Sequence, residues 1–155
     1  MSSKIHLLVG LGNIGSEYEM TRHNFGFLAL DKIIEDYNFN KISSKKFHSE
    51  VFSGEIVGRK IIAIKPQTFM NRSGIAVVET ANFYKIPLEN ILVLHDEIDL
   101  SLGKIRVKVA GGNGGHNGVK SIDASIGKGY ARLRLGIGRP ENKEYPTADY
   151  VLGRF

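Results

Sequence analysis

The chain contains no cysteine and only 4 prolines in 155 residues. Without cysteine there can be no disulfide framework, no thiolate zinc site and no cysteine nucleophile. No apolar run approaches the roughly 18 residues of a membrane span, and Met1-Ser2-Ser3-Lys4 does not read as a secretory leader. Internal repeats, Pro-rich linkers and charge blocks are also missing, so a single domain over residues 1–155 is expected. A chain of this length buries about 68–70% of its unfolded surface and needs no covalent staples. A cytoplasmic protein, with no membrane partner, is the expectation.

What is present leans in two directions. Lys and Arg number 21 against 16 Asp and Glu, a net charge of +5, which points to a polyanionic partner. A charge of this size is equally common on proteins that bind no polyanion, so a basic stripe is required before it counts. Glycine is over-represented, 18 of 155 against a usual share of about 7%, and it is clustered, which suggests backbone-lined loops.

Hydrophobic periodicity organises the chain. Lys4–Val9 reads as a short buried strand, and Phe25–Tyr37 as a helix with Phe27, Leu28, Leu30, Ile33, Ile34 and Tyr37 on one face. Val51–Val57 and Lys60–Lys65 read as a strand pair turning at Gly58-Arg59. A helix is predicted over Ser73–Tyr84, stopped by Pro87. Ile91–Leu94 is a four-residue strand leading into an acidic turn, His95-Asp96-Glu97. Lys104–Val109 alternates strictly and predicts a half-buried strand, with Ile105, Val107 and Val109 inward and Lys104, Arg106 and Lys108 outward. A short helix over Val119–Ile126 and a second basic alternation, Arg132-Leu133-Arg134-Leu135, follow. Strands interleaved with helices argue for a three-layer α/β sandwich, and the two basic strands for a mixed central sheet.

Several motifs invite a chemical reading. Gly10-Leu11-Gly12-Asn13-Ile14-Gly15 matches the dinucleotide fingerprint, which requires a helix to open at the third glycine. Here no apolar helical face begins before Phe25. The stretch Gly111–Ser121 resembles a phosphate loop, but Val119 separates Gly118 from Lys120. Tight turns needing positive φ would explain one or two of its glycines, and a backbone nest is the alternative.

Asn13, His23, Asn71, Asp96, His116 and Asn117 form a scattered polar set at turns and strand ends. Each has an ordinary structural reading. Asn71 can cap the helix that follows, His23 can lie on the surface, and Asp96 can satisfy turn amides. No metal-ligand spacing links His23, His95, His116 and Asp96, and no serine sits on a nucleophile elbow. A water-activating His–Asp pair in an amide-lined pocket is the chemistry left.

Six segments carry a resemblance. Val9–Asn13 (VGLGN), Tyr18–Gly26 (YEMTRHNFG), Lys65–Gly74 (KPQTFMNRSG), His95–Gly103 (HDEIDLSLG), Gly111–Lys120 (GGNGGHNGVK) and Arg132–Gly138 (RLRLGIG) resemble, in order, the bacterial-type peptidyl-tRNA hydrolases. The resemblance implies a monomer of the phosphorylase/hydrolase-like type, a mixed sheet flanked by helices. It implies cleavage of the ester joining a prematurely released peptide to the terminal ribose of tRNA, with no metal or other cofactor. It further implies His23 as the catalytic base and Asp96 as its orienting carboxylate. Asn13, Tyr18, Phe69, Met70, Asn71, His116 and Asn117 would line the substrate cleft, and Lys108 and Arg132 would hold the tRNA. An imidazole, with its usual pKa near 6.5, suits general-base work at neutral pH.

Two features depart from the family pattern. Ile14 stands where a proline is usual, and the chain lacks the C-terminal helices the family generally carries after the position of Phe155. Two rivals are a non-catalytic RNA-binding relative of the same fold, of the intron-splicing-factor kind, and a nucleotide-dependent oxidoreductase built on the first glycine loop.

Overall fold

The computed structural model describes residues 5–43 and 45–155. Its centre is β1 (His6–Gly10), whose Leu7, Leu8 and Val9 are all buried. Such a run, apolar on both faces, is what a parallel strand covered from both sides requires. Successive side chains point to opposite faces. Leu7 and Val9 accordingly join one core with Val77, Val119 and Ile122, and Leu8 joins a second with Leu30, Phe39 and Leu94.

The remaining strands are β2 (Asn40–Ser43), β3 (Ser49–Ile56), β4 (Arg59–Pro66), β5 (Ile91–Glu97), β6 (Ile105–Val109) and β7 (Ala131–Gly136). They form one sheet in the order β2-β3-β4-β1-β5-β7-β6. β4, β1, β5 and β7 run parallel, and β2, β3 and β6 are attached antiparallel at the two sides. The expected mixed sheet is therefore present. Helix α1 (Phe25–Asp36) covers one face, and α2 (Ser73–Tyr84) with α3 (Asn117–Ile126) covers the other. A short α4 (Thr147–Val151) lies near the chain end. No described helix is long and apolar enough to cross a membrane.

Close packing explains the composition of the helix starts. At Gly26 an added methyl would overlap the Leu94 carbonyl and the Leu11 backbone, so only glycine lets α1 sit directly on β1 and β5. α2 buries small groups (Ser73, Gly74, Ala76, Ala81), which brings it against α3, where the Gly74 N–H donates to Ser121 Oγ at 2.8 Å. It ends at Tyr84 because Lys85 turns left-handed (φ 54°, ψ 46°) and Pro87 follows.

The structure corrects four local expectations. The β3–β4 turn is Val57-Gly58, both at positive φ, with Ile56 facing Arg59; a two-residue hairpin of this twist needs two left-handed residues. His95, Asp96 and Glu97 are the buried end of β5 rather than a turn. Asn71 caps nothing: it sits in a 3-10 turn (Met70–Arg72), and Arg72 precedes α2 without a side-chain cap. β6 is not half-buried; all five residues are exposed, because it is the sheet's edge.

Candidate active site

The parallel strands all end on one rim, where open α/β sheets gather their functional groups. Three chain segments meet there. The loop after β1 brings Asn13, the 3-10 turn Arg22–Asn24 at the foot of α1 brings His23, and the end of β5 brings Asp96. Asn13 and Asn24 clasp each other: the Asn13 N–H donates to Asn24 Oδ1 at 2.8 Å, and Asn24 Nδ2 donates to the Asn13 carbonyl at 2.9 Å. Asn13 Oδ1 in turn accepts from the Met70 N–H at 3.0 Å, tying in the segment after β4.

His23 Nδ1 lies 3.0 and 2.9 Å from the two carboxylate oxygens of Asp96. His116 Nε2 lies 2.7 Å from Asp96 Oδ1. Burial alone would push the Asp96 carboxyl upward, but the facing His116 and His23 imidazoles, as charges and as hydrogen-bond donors, hold it well below the ordinary carboxylate range. Asp96 is thus an anion throughout the working pH range. His23 donates to it through Nδ1, which leaves Nε2 as the lone-pair nitrogen.

His23 borders two cavities. One, of about 400 Å³, runs along Asp96, His116, the turn Gly114-Gly115 and α4. The other, of about 270 Å³, is lined by Asn13, Phe69, Met70, Asn71 and Asn117, with α4 on its far side. Gly114 and Gly115 are both at positive φ, and the Gly115 N–H bonds to Asn113 Oδ1 at 2.8 Å, so turn geometry accounts for these two.

α4 is strapped to the turn that holds His23. Arg22 donates to the Tyr150 carbonyl at 3.1 Å, and its guanidinium lies 4.1 Å from the Tyr150 ring centre. The Tyr150 hydroxyl bonds to the Ile137 carbonyl at 2.8 Å.

The expected site residues thus divide. His23, Asp96, Asn13, Phe69, Met70, Asn71, His116 and Asn117 converge on the two cavities. Tyr18 lies in a separate 3-10 turn (Ser16–Tyr18) and lines neither. Lys108 is exposed on β6, beside a third hollow of about 260 Å³ that adjoins the first at Glu97 and Gly114.

Arg132 lies in that hollow's wall but is 1% exposed, donating to Asp123 at 3.0 Å and to the Gly112 carbonyl. Its guanidinium is thus held by α3 and by the loop that follows β6. Arg134 is likewise paired, with Glu97 at 3.0 Å. On and just before β6, Lys104, Arg106 and Lys108 are exposed.

Asn24 and α4 escape a sequence reading. Asn24's only local signal is that it follows His23, and α4 is five residues long with no apolar period. His95 is a further surprise: it is buried, its Nδ1–H donates to the Asp96 carbonyl at 2.8 Å, and its Nε2 has no partner. Burial first, then the neighbouring His116, pushes its imidazole down to about 3.

The ring and carboxylate atoms of His23, Asp96 and His116 lie within 4.8 Å of one another, a spacing a cation can use. They are, however, already joined by hydrogen bonds that need the imidazole protons. The first glycine loop does not open a helix at Gly15, which leads into the 3-10 turn instead; the dinucleotide geometry is not formed.

Comparison with known proteins places this arrangement. The family model described as peptidyl-tRNA hydrolase matches residues 7–155. The chain is 54% identical to a peptidyl-tRNA hydrolase of Rickettsia bellii over 149 residues, 96% of this chain and 80% of the relative. It is also 54% identical to one of Wolbachia pipientis over 151 residues, 97% and 82%. The crystal structure of peptidyl-tRNA hydrolase from Acinetobacter baumannii superposes with a TM-score of 0.92 at 45% identity, covering 100% of this chain and 79% of that one. Family model, sequence identity and fold agree, and the chain belongs to the peptidyl-tRNA hydrolase family.

Proposed function

We propose that the chain hydrolyses the ester between a peptidyl, or N-blocked aminoacyl, group and the terminal ribose of tRNA, with His23 as general base. The observation that carries this is the His23–Asp96 pair, whose Nδ1 bond fixes the tautomer and leaves Nε2 facing the cavities. A water between Nε2 and the ester carbonyl gives its proton to Nε2 as its oxygen attacks the carbonyl carbon. The carbon–oxygen bond to ribose then breaks, and the imidazolium returns the proton to the ribose oxygen. Asp96 stays ionised and stabilises the imidazolium.

The developing oxyanion is met by neutral amides drawn from Asn13, Asn71 and Asn117 along the second cavity. An ester has a good leaving group, so this chemistry needs neither a metal nor a covalent intermediate.

The same amides supply selectivity. They hydrogen-bond a peptide unit, whereas a free α-ammonium would leave them unpaired, and sites of this kind discriminate by about 10⁴ or more. Lys104, Arg106 and Lys108 hold tRNA phosphates without reading sequence. We take the protein to act in the cytoplasm as a monomer. A relative that binds RNA without turnover is not favoured, since the base, its carboxylate and the amide cavity are assembled together.

The test is release of the acyl group from N-acetylated aminoacyl-tRNA, beside the same tRNA with a free amino group, with chelator present. Only the blocked ester should be cleaved, and His23→Ala should slow the reaction about 10²–10⁴-fold while tRNA still binds. Equal rates on both esters would refute the selectivity argument.

A further inference from the structure

His116 fits poorly as a substrate contact, because both of its ring nitrogens are occupied. Its ring is the N-cap of α3: Nδ1 accepts from the Gly118 N–H at 3.1 Å and the Val119 N–H at 3.3 Å. Backbone amides can only donate, so Nδ1 carries the lone pair and the ring's single proton sits on Nε2, which donates to Asp96 Oδ1. The ring is wedged between two other imidazoles, with centroids 4.7 Å from His23 and 5.0 Å from His95. Asp96 Oδ1 therefore receives two imidazole donors and Oδ2 receives one.

We propose that His116 is a positioning residue: the first amides of α3 hold it in one tautomer, and through Nε2–H it fixes Asp96 and takes a share of that carboxylate's charge. His23 is then bound to Asp96 firmly enough to be oriented, but less strongly than by an undivided carboxylate. The base is thereby kept free to accept a proton from water. This rests on the reading of His23 as the base.

The other ionisable groups facing the cluster are already paired or neutral. His95 of β5 packs on His116 and is uncharged in the working range. Glu97 of β5 pairs with Arg134 of β7, and Arg132 of β7 with Asp123 of α3. Arg22, beside His23, lies on Tyr150. α4 contributes only Thr147, Ala148 and Val151. No other described charge is placed to compensate for the loss of the His116 donor.

Two substitutions separate the two bonds. In His116→Asn the amide oxygen stands where Nδ1 was, a favoured N-cap, but nothing reaches Asp96. In His116→Gln the amide nitrogen stands where Nε2 was and keeps the bond to Asp96, while the cap is lost.

With Asp96 undivided, its whole charge faces the base. The acid limb of the kcat/KM profile of His116→Asn should therefore move up by about 0.5–1 pH unit. Its kcat should fall about 3–10-fold from the loosened carboxylate, with KM within about twofold. His116→Gln should return the limb to its original position despite a lower Tm than the Asn variant.

An unmoved limb in His116→Asn, or equal displacement in both variants, overturns the proposal. So does a raised KM with an unchanged limb, the mark of a substrate contact. The ring nitrogens of the unmodified protein give a readout without activity: ¹⁵N shifts should show Nε2 protonated and Nδ1 bare, and the reverse overturns the tautomer argument. Full activity in His23→Ala would instead remove the base reading beneath it, leaving the nitrogen assignment standing.

Discussion

β6 and β7 lie side by side, Arg106 facing Arg134 and Lys108 facing Arg132, and both alternate basic with apolar residues. In β7 Leu135 is 3% exposed and Leu133 half-buried, and the arginines are drawn into ion pairs with Asp123 and Glu97. In β6 Ile105, Val107 and Val109 are 56%, 66% and 68% exposed, and every cation beside them is in water. The cause is position. β7 sits between β5 and β6 under α3, whereas β6 has a neighbour on one side only. A pattern of period two states which residues share a face; whether that face meets anything is decided by strand order, which is non-local. Identical alternations thus build an internal brace in one strand and a solvent-facing rim in the next.

The strongest way to break this contrast is at the brace. Arg132→Met removes one partner of a buried pair and leaves Asp123 with only the Tyr130 hydroxyl. Stability measured by urea unfolding should fall by about 3–5 kcal/mol. Adding Asp123→Asn should recover part of the loss, because no unpaired charge then remains. A change below 1 kcal/mol would place Arg132 with the rim cations after all.

A smaller effect is expected one strand further in, at His95, which faces Arg134 across β5 and β7. Its imidazole is neutral when folded, pushed down to about 3, and binds a proton near 6.5 when unfolded. The unfolded state then holds more protons between those values, so stability is full above about pH 6.5 and declines as pH falls toward 3. From pH 7.5 to pH 5 this one group removes about 2 kcal/mol. His95→Asn keeps a donor for the Asp96 carbonyl but cannot titrate, and its pH dependence should be flatter by that amount. Parallel curves for the two proteins would show that the ring is protonated in place.

The mildest change belongs to the rim. Lys108→Ala should leave urea stability within about 0.5 kcal/mol yet weaken tRNA binding about 3–10-fold at low salt and lower the salt slope by about one charge. Equal loss of affinity at high and low salt would argue against a phosphate contact.

Much of this was legible in the chain because local signals agreed with the fold. α1 and α2 begin at Phe25 and Ser73 as expected, and the dense runs around His23, Asn71, Asp96 and Asn117 do share one rim. The misreadings came where a residue's partner is distant in sequence. Asp96 looked like a turn residue because nothing nearby reveals the two imidazoles, 73 and 20 positions away, that make its burial tolerable. Arg132 looked like a surface cation because Asp123 sits on a helix with its own period. His116 gave no sign of its bond to Asp96, 20 positions earlier in the chain. Tyr18 resembled a cleft residue through its motif, and it borders neither of the two cavities at His23.

The Asn13–Asn24 clasp has a mechanical consequence. It joins the strand-end loop that carries Asn13 to the turn that carries His23, and through Met70 it reaches the segment after β4. The three behave as the jaws of one caliper. Thermal drift of the rim carries His23 and Asn13 together, so the gap between them varies less than the position of either jaw. A substitution at Asn24, which lines neither of the two cavities bordered by His23, would therefore register as lost alignment at the reacting atoms.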